Sequence, residues 1–239
     1  MKKYIISFAL MNSVILGSIS CSTTGTSTGI GTGNVALSTI QNTLKGGLNN
    51  ASSIFGDSQS FLTNALIEAA MPTELKNINN KLNDLGLSQI VDKEKAMIGK
   101  IAGASISTAK PIVENAINSM TLQDAINIVS GGKGAATKFL KDKSYTQVVN
   151  ALSPVVNSQM SQLGVNNLLE NALGGNNALN SILGSVLGGS QSTSLTQNLN
   201  NAVTQHLTDG LFNVIEDAEN NTRNNPTGLL NSILNNSSK

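Results

Sequence analysis

The sequence predicts an all-α protein, a single irregular helical bundle with short, kinked helices. Three observations predict it. From Val35 onward, apolar residues recur at steps of three and four, the period of a helix face. No stretch alternates apolar and polar residues between turn pairs, as a half-buried strand does. Hydrophobic residues make up 39% of the chain and charged residues 12%, too apolar and too weakly charged for a disordered polymer. Aromatics are 3% and Trp is absent, so the core is aliphatic.

The first residues have a different character. Met1-Lys2-Lys3 is a short basic start, and Tyr4 to Gly17 is mostly apolar. Ser18-Ile19-Ser20 then brings small residues up to Cys21, the chain's one cysteine. A basic start, an apolar run and small residues make a secretory signal. The apolar run is shorter than the roughly 20 residues a spanning helix needs. Ser18-Ile19-Ser20-Cys21 resembles the bacterial lipobox, with Ser18 where Leu is usual. That resemblance implies cleavage before Cys21, a diacylglyceryl group with a third acyl chain on that cysteine, and, with Ser22 next, an outer-membrane anchor facing the periplasm. Two or more acyl chains hold a protein on a membrane stably where one does not. The expected organisation is therefore a signal peptide at 1–20, a lipidated Cys21 with a flexible Gly/Ser/Thr tether at 21–34, and a helical domain at 35–239.

Within that domain, Leu75, Ile78, Leu82 and Leu85 fall on one face of a helix that ends at Gly86. Val91 to Ile106 gives a second helix, with Met97, Ile98, Ile101 and Ala102 inward. Lys110-Pro111 is expected to break or kink it, leaving a short helix from Ile112 to Met120. Thr121-Leu122-Gln123-Asp124 reads as a helix start, Thr121 capping free amides and Asp124 in the first turn. That helix carries Leu122, Ala125, Ile126 and Val129 and stops at Gly131-Gly132. Gly134 to Leu140 reads as another short helix. Ser144 to Gln147 reads as a second capping box, opening a helix toward Leu163 with a bend at Pro154. Residues 171–194 form a Gly/Asn-rich insertion. A long helix spans about Leu195 to Asn221, and a short amphipathic piece, Leu229 to Leu234, closes the chain.

Several runs come in a fixed order: Lys110-Pro111-Ile112, Met120-Thr121 with Asp124-Ala125, Gly131 with Ala135-Ala136-Thr137, Gly210-Leu211-Phe212, and Glu219 with Arg223-Asn224-Asn225-Pro226. Together they resemble the bacterial envelope family catalogued as domain of unknown function 4197, over most of Leu62 to Leu234. The resemblance implies an all-α envelope protein, often with an export signal, and no established activity. Ala70-Met71-Pro72 departs from the family's usual Ile-Pro-Leu-Pro, and the 171–194 insertion is a second departure.

Few residues suggest chemistry. His206, the single histidine, has Asp209 three residues on, too small a set for a metal site. Glu216 and Glu219, three apart, share a helix face that is ordinarily solvated. The best anion candidate is Gly131 to Thr137, where glycines permit close approach and a following helix N-terminus presents free amides. Gly134 stands where a Walker loop needs Ser or Thr, so the plainer reading is a turn between helices. Arg223 is placed to pair with Glu219 one turn earlier. Thr121, Asp124, Gly131, Thr137 and Arg223 are thus the candidate binding residues, with lipid attachment at Cys21 and no catalytic, metal or cofactor site expected. The formal charge is +1, and loss of Lys2 and Lys3 with the signal leaves −1. A nucleic-acid partner is not expected from such a balance. The expected function is a non-enzymatic envelope module that binds a protein or envelope component; the alternatives are a carrier or binder of an apolar ligand or lipid, and a hydrolase.

Overall fold

Helical periodicity becomes eight helices: α1 (Thr28–Gly56), α2 (Ser58–Thr63), α3 (Ala65–Ala69), α4 (Thr73–Asp84), α5 (Ser88–Asn118), α6 (Leu122–Ser130), α7 (Ala135–Gln162) and α8 (Ser192–Asn224). They come from a computed structural model that describes residues 28–84, 86, 88–164 and 192–225, among which there is no strand. The expected signal peptide at 1–20, Cys21, the greater part of the expected 171–194 insertion and the Leu229–Leu234 piece lie outside those residues. No helix among the described residues is long and apolar enough to cross a membrane.

Long helices α1, α5, α7 and α8 pack in a ring, each against two neighbours. Cross-links between them fix their directions. Gln41 Nε2 of α1 donates to the Ile117 carbonyl of α5 at 3.0 Å, and Lys110 Nζ of α5 donates to Asn49 Oδ1 at 3.1 Å, so α1 and α5 are antiparallel. Thr137 meets Glu219 while Ser153 meets Asn200, so α7 and α8 are antiparallel. Gly47 lies against Ile215 and Ala218, and Phe55 reaches His206 through Phe61, so α1 and α8 are antiparallel too. The result is an up-down-up-down four-helix bundle. At one end sit the start of α1, all of α6, the start of α7 and the end of α8; at the other sit α2 and α3. Helix α4 lies along α5.

The bundle is irregular as expected, but its main helices are long rather than short. Pro111 does not end α5, and Pro154 does not end α7. Both prolines are exposed, as are Ser107 and Asn150 four residues earlier, whose freed carbonyls face water. Buried Ala109, Val113, Ala116 and Ile117 continue the core face of α5 across the proline. Side-chain packing on that face outweighs one lost backbone bond. Ser144 opens no helix either: it is buried within α7 and its hydroxyl donates to the Leu140 carbonyl at 2.7 Å. Residues 28–34 were expected to be part of a flexible tether. Helix α1 begins at Thr28, so 28–34 is helical. Its Gly33 lets α6 approach so closely that a Cβ there would lie 3.3 Å from Leu122 Cδ2, and this packing extends the helix into a Gly-rich run.

A tighter approach joins α1 to α8. A Cβ on buried Gly47 would meet Ala218 Cβ and Ile215 Cα, each at 3.1 Å. Gly47→Val is therefore expected to push these helices apart and cost about 1–3 kcal/mol. Exposed Gly46 has nothing within 4 Å of its missing Cβ. Gly46→Ala is expected to stabilise by up to about 1 kcal/mol, because alanine is the better helix former. Denaturant midpoints of the two variants moving in opposite directions would check this contact.

Candidate functional site

The loop between α6 and α7 does present the amides of an anion site, and the anion is a side chain of the protein. Gly134 begins the turn into α7 with φ of 73°, a left-handed conformation that glycine adopts without strain. This aims the first free N–H groups of α7 at α8. Gly134 N–H donates to Asn220 Oδ1 at 3.0 Å. Ala135 N–H turns back to the Gly132 carbonyl, and the buried Glu219 carboxylate takes the two after it, Oε1 from Ala136 N–H at 3.0 Å and Oε2 from Thr137 N–H at 2.8 Å. Thr137 Oγ1 also donates to Oε2 at 2.8 Å. Helix N-termini favour negative charge in this position, and the carboxylate replaces the water these amides lose.

Arg223 closes the arrangement. Its Nε donates to Glu219 Oε1 at 2.9 Å, and its Nη2 donates to the Ile128 carbonyl at 3.0 Å. Nη1 reaches the Gly131 carbonyl at 3.4 Å. One guanidinium thus ties α8 to the C-terminal end of α6, adding a second donor to the Ile128 carbonyl, which Gly131 N–H also reaches at 3.2 Å. Gly131 is required sterically, since a Cβ there would fall 2.6 Å from Ala135 Cβ.

Gly131, Thr137 and Arg223 therefore converge, as sequence spacing alone does not reveal. Thr121 and Asp124 do not join them. They form a capping box at the other end of α6: Asp124 N–H donates to Thr121 Oγ1 at 3.2 Å, and Thr121 N–H donates to Asp124 Oδ2 at 2.9 Å. The hydrogen bond from Thr121 Oγ1 to Asp124 Oδ2 at 2.6 Å, and after it the one from Thr121 N–H, hold the Asp124 carboxyl below its usual range. Among the five candidate binding residues, three are joined around Glu219 and two cap a helix.

Two polar groups outside this cluster are less well satisfied. His206 is buried near the α2–α3 end. Its Nε2 lies 3.0 Å from the Ile67 carbonyl, which makes Nε2 the protonated nitrogen, and Nδ1 has no partner. Burial, ahead of its other influences, holds the ring below the ordinary histidine pKa. Beside it lies a cleft of about 70 Å³ lined by Phe61, Ile67, Glu68, Met71, Lys95 and Ile98 among others. Ligand pockets are commonly 300–1,000 Å³.

The second is Glu94 on α5. Its carboxylate tip is buried beside Asn79 of α4, and neither oxygen has a well-formed hydrogen bond. Burial pushes its pKa up to about 7, although Asn79 and the Lys95 charge pull the other way. Sequence spacing gave a signal for both buried carboxylates. Glu219 continues the four-residue row Leu207, Leu211, Ile215, and Glu94 stands between Val91 and Ile98 on the inward face of α5. Among the described residues no three His, Cys, Asp or Glu side chains gather as metal ligands do.

A family model described as "Protein of unknown function (DUF4197)" matches residues 32–236 of the chain. No curated protein and no solved structure matches it.

Proposed function

The chain belongs to the DUF4197 family of proteins of unknown function, and from that membership and its own residues we propose a non-enzymatic, lipid-anchored binding module of the cell envelope. The observation that carries this reading is the use made of the polar candidates. Gly131, Thr137 and Arg223, with Glu219, are spent on joining α6, α7 and α8. Among the described residues, α6 also carries exposed apolar surface, at Leu122, Ile126 and Val129. The basic start, apolar run and Ser18-Ile19-Ser20-Cys21 support export and acylation. Cys21→Ser is expected to abolish incorporation of a labelled fatty acid and move the protein from the membrane to the soluble fraction of cells. Undiminished labelling of that variant would overturn the anchor.

A further inference from the structure

We infer that the exposed face of α6 is a membrane-docking surface that rests on the phospholipid bilayer to which Cys21 is anchored; the inference rests on the lipid-anchored reading above. Leu122, Ile126 and Val129 recur at spacings of four and three on α6, so they form one stripe, and they are 38%, 53% and 58% exposed. Val35, at the start of α1, is 51% exposed. Among the described residues, four of the five exposed large aliphatic side chains thus lie on α6 or at the beginning of α1. The apolar positions of α6 would ordinarily turn inward, yet only Ala125 and Ile128 do so. A row of this kind left in water marks an interaction site.

The position of the anchor selects the occupant. Helix α1 begins at Thr28, seven residues after Cys21. Seven residues reach at most about 25 Å when fully extended. The 29 residues of α1 run about 43 Å from that end to the α2–α3 end. A lipid on Cys21 therefore holds the α6 end of the bundle close to the bilayer and leaves the opposite end beyond the reach of the tether. Polar groups around the stripe suit a headgroup layer. Gln123, Asn127 and Ser130 are uncharged, Lys133 is exposed just beyond, and the nearby Asp124 carboxylate is engaged by Thr121. A few half-exposed aliphatic side chains bind a bilayer too weakly to recruit a free protein. On a tethered protein they act at high effective concentration and set its orientation.

The absence of Trp from the chain provides the test. Ile126→Trp places one reporter on the stripe, and Gln59→Trp places one on the exposed surface of α2, at the other end. Each acylated full chain is reconstituted into phosphatidylethanolamine–phosphatidylglycerol vesicles containing brominated phospholipid. Quenching of the Ile126→Trp reporter is expected to exceed that of the Gln59→Trp reporter at least threefold. Equal quenching overturns the inference. So does emission of the Ile126→Trp reporter that changes with protein concentration but not with brominated lipid, because the stripe then meets a second copy. Mass of the N-terminal peptide separately shows whether Cys21 is acylated. If it is not, the anchored reading fails, and the same two variants are coupled through Cys21 to a maleimide lipid. Threefold selectivity under that tether still upholds the docking surface, and its absence still overturns it.

Discussion

Glu219→Ala is expected to lower folding stability by about 3–5 kcal/mol, the range for removing one partner of a buried, hydrogen-bonded ion pair. The carboxylate receives hydrogen bonds from Ala136 N–H, Thr137 N–H, Thr137 Oγ1 and Arg223 Nε. Its removal leaves two helix-terminal amides without an acceptor in a dry interface, and a guanidinium whose side chain is only 27% exposed. Each stranded donor costs about 1–3 kcal/mol. Thr137→Val, which removes only a hydroxyl donor, is expected to cost about 1 kcal/mol. The two effects should not add, since the hydroxyl donates only to Glu219. Urea denaturation of the single and double variants measures both terms. A loss below 1 kcal/mol for Glu219→Ala would show that the carboxylate is not the clasp described. The vacated α7 N-terminus is also expected to bind a small anion in its place, so acetate or sulfate should raise the denaturation midpoint of Glu219→Ala more than that of the parent chain.

Glu94→Gln is expected to stabilise the protein above pH 7 by on the order of 3 kcal/mol, and to have little effect below pH 4.5. The sign follows from its pKa, about 7 when folded against 4.5 as a free side chain. Between those values the native state holds a proton that the unfolded state has released. The contribution of Glu94 is therefore most favourable below pH 4.5 and is lost as pH rises to 7. Glutamine resembles the protonated acid and carries no such cost. His206 acts in the opposite direction: its lowered pKa penalises the fold as pH falls below the ordinary histidine value. Comparing Glu94→Gln with the parent at each pH cancels the histidine contribution. Stability measured by urea denaturation at pH 5 and pH 8 should show a mutant–parent difference that grows with pH; a flat difference would place Glu94 in water.

The helical class, the α8 stripe and the Thr121 cap were legible in the sequence because each depends on neighbours three or four residues away. The separate helix expected after Pro111 does not exist because long-range packing decides the matter: Val113 and Ile117 are buried irrespective of the local bond lost at Pro111. Sequence spacing also placed Arg223 one turn from Glu219 but put their tie at the surface, since nothing local brings the α7 N-terminus over that turn. The exposure of the α6 face was not legible. Leu122, Ile126 and Val129 have the spacing of a buried stripe, and spacing records amphipathicity without saying which medium the apolar side meets.

The pairing of α1 with α8 has a consequence for the order in which the chain folds. Helix α8 lies against α1, α3 and α7, and it supplies both the carboxylate for α7 and the buried residues from Ala202 to Ile215. It is also the last of the described helices to be synthesised. Until it arrives, the earlier helices form a bundle open along one side, where α1, α3 and α7 lack the helix that packs against them. Such a chain stays open along that side until its last described helix is made, and it closes when that helix joins the first.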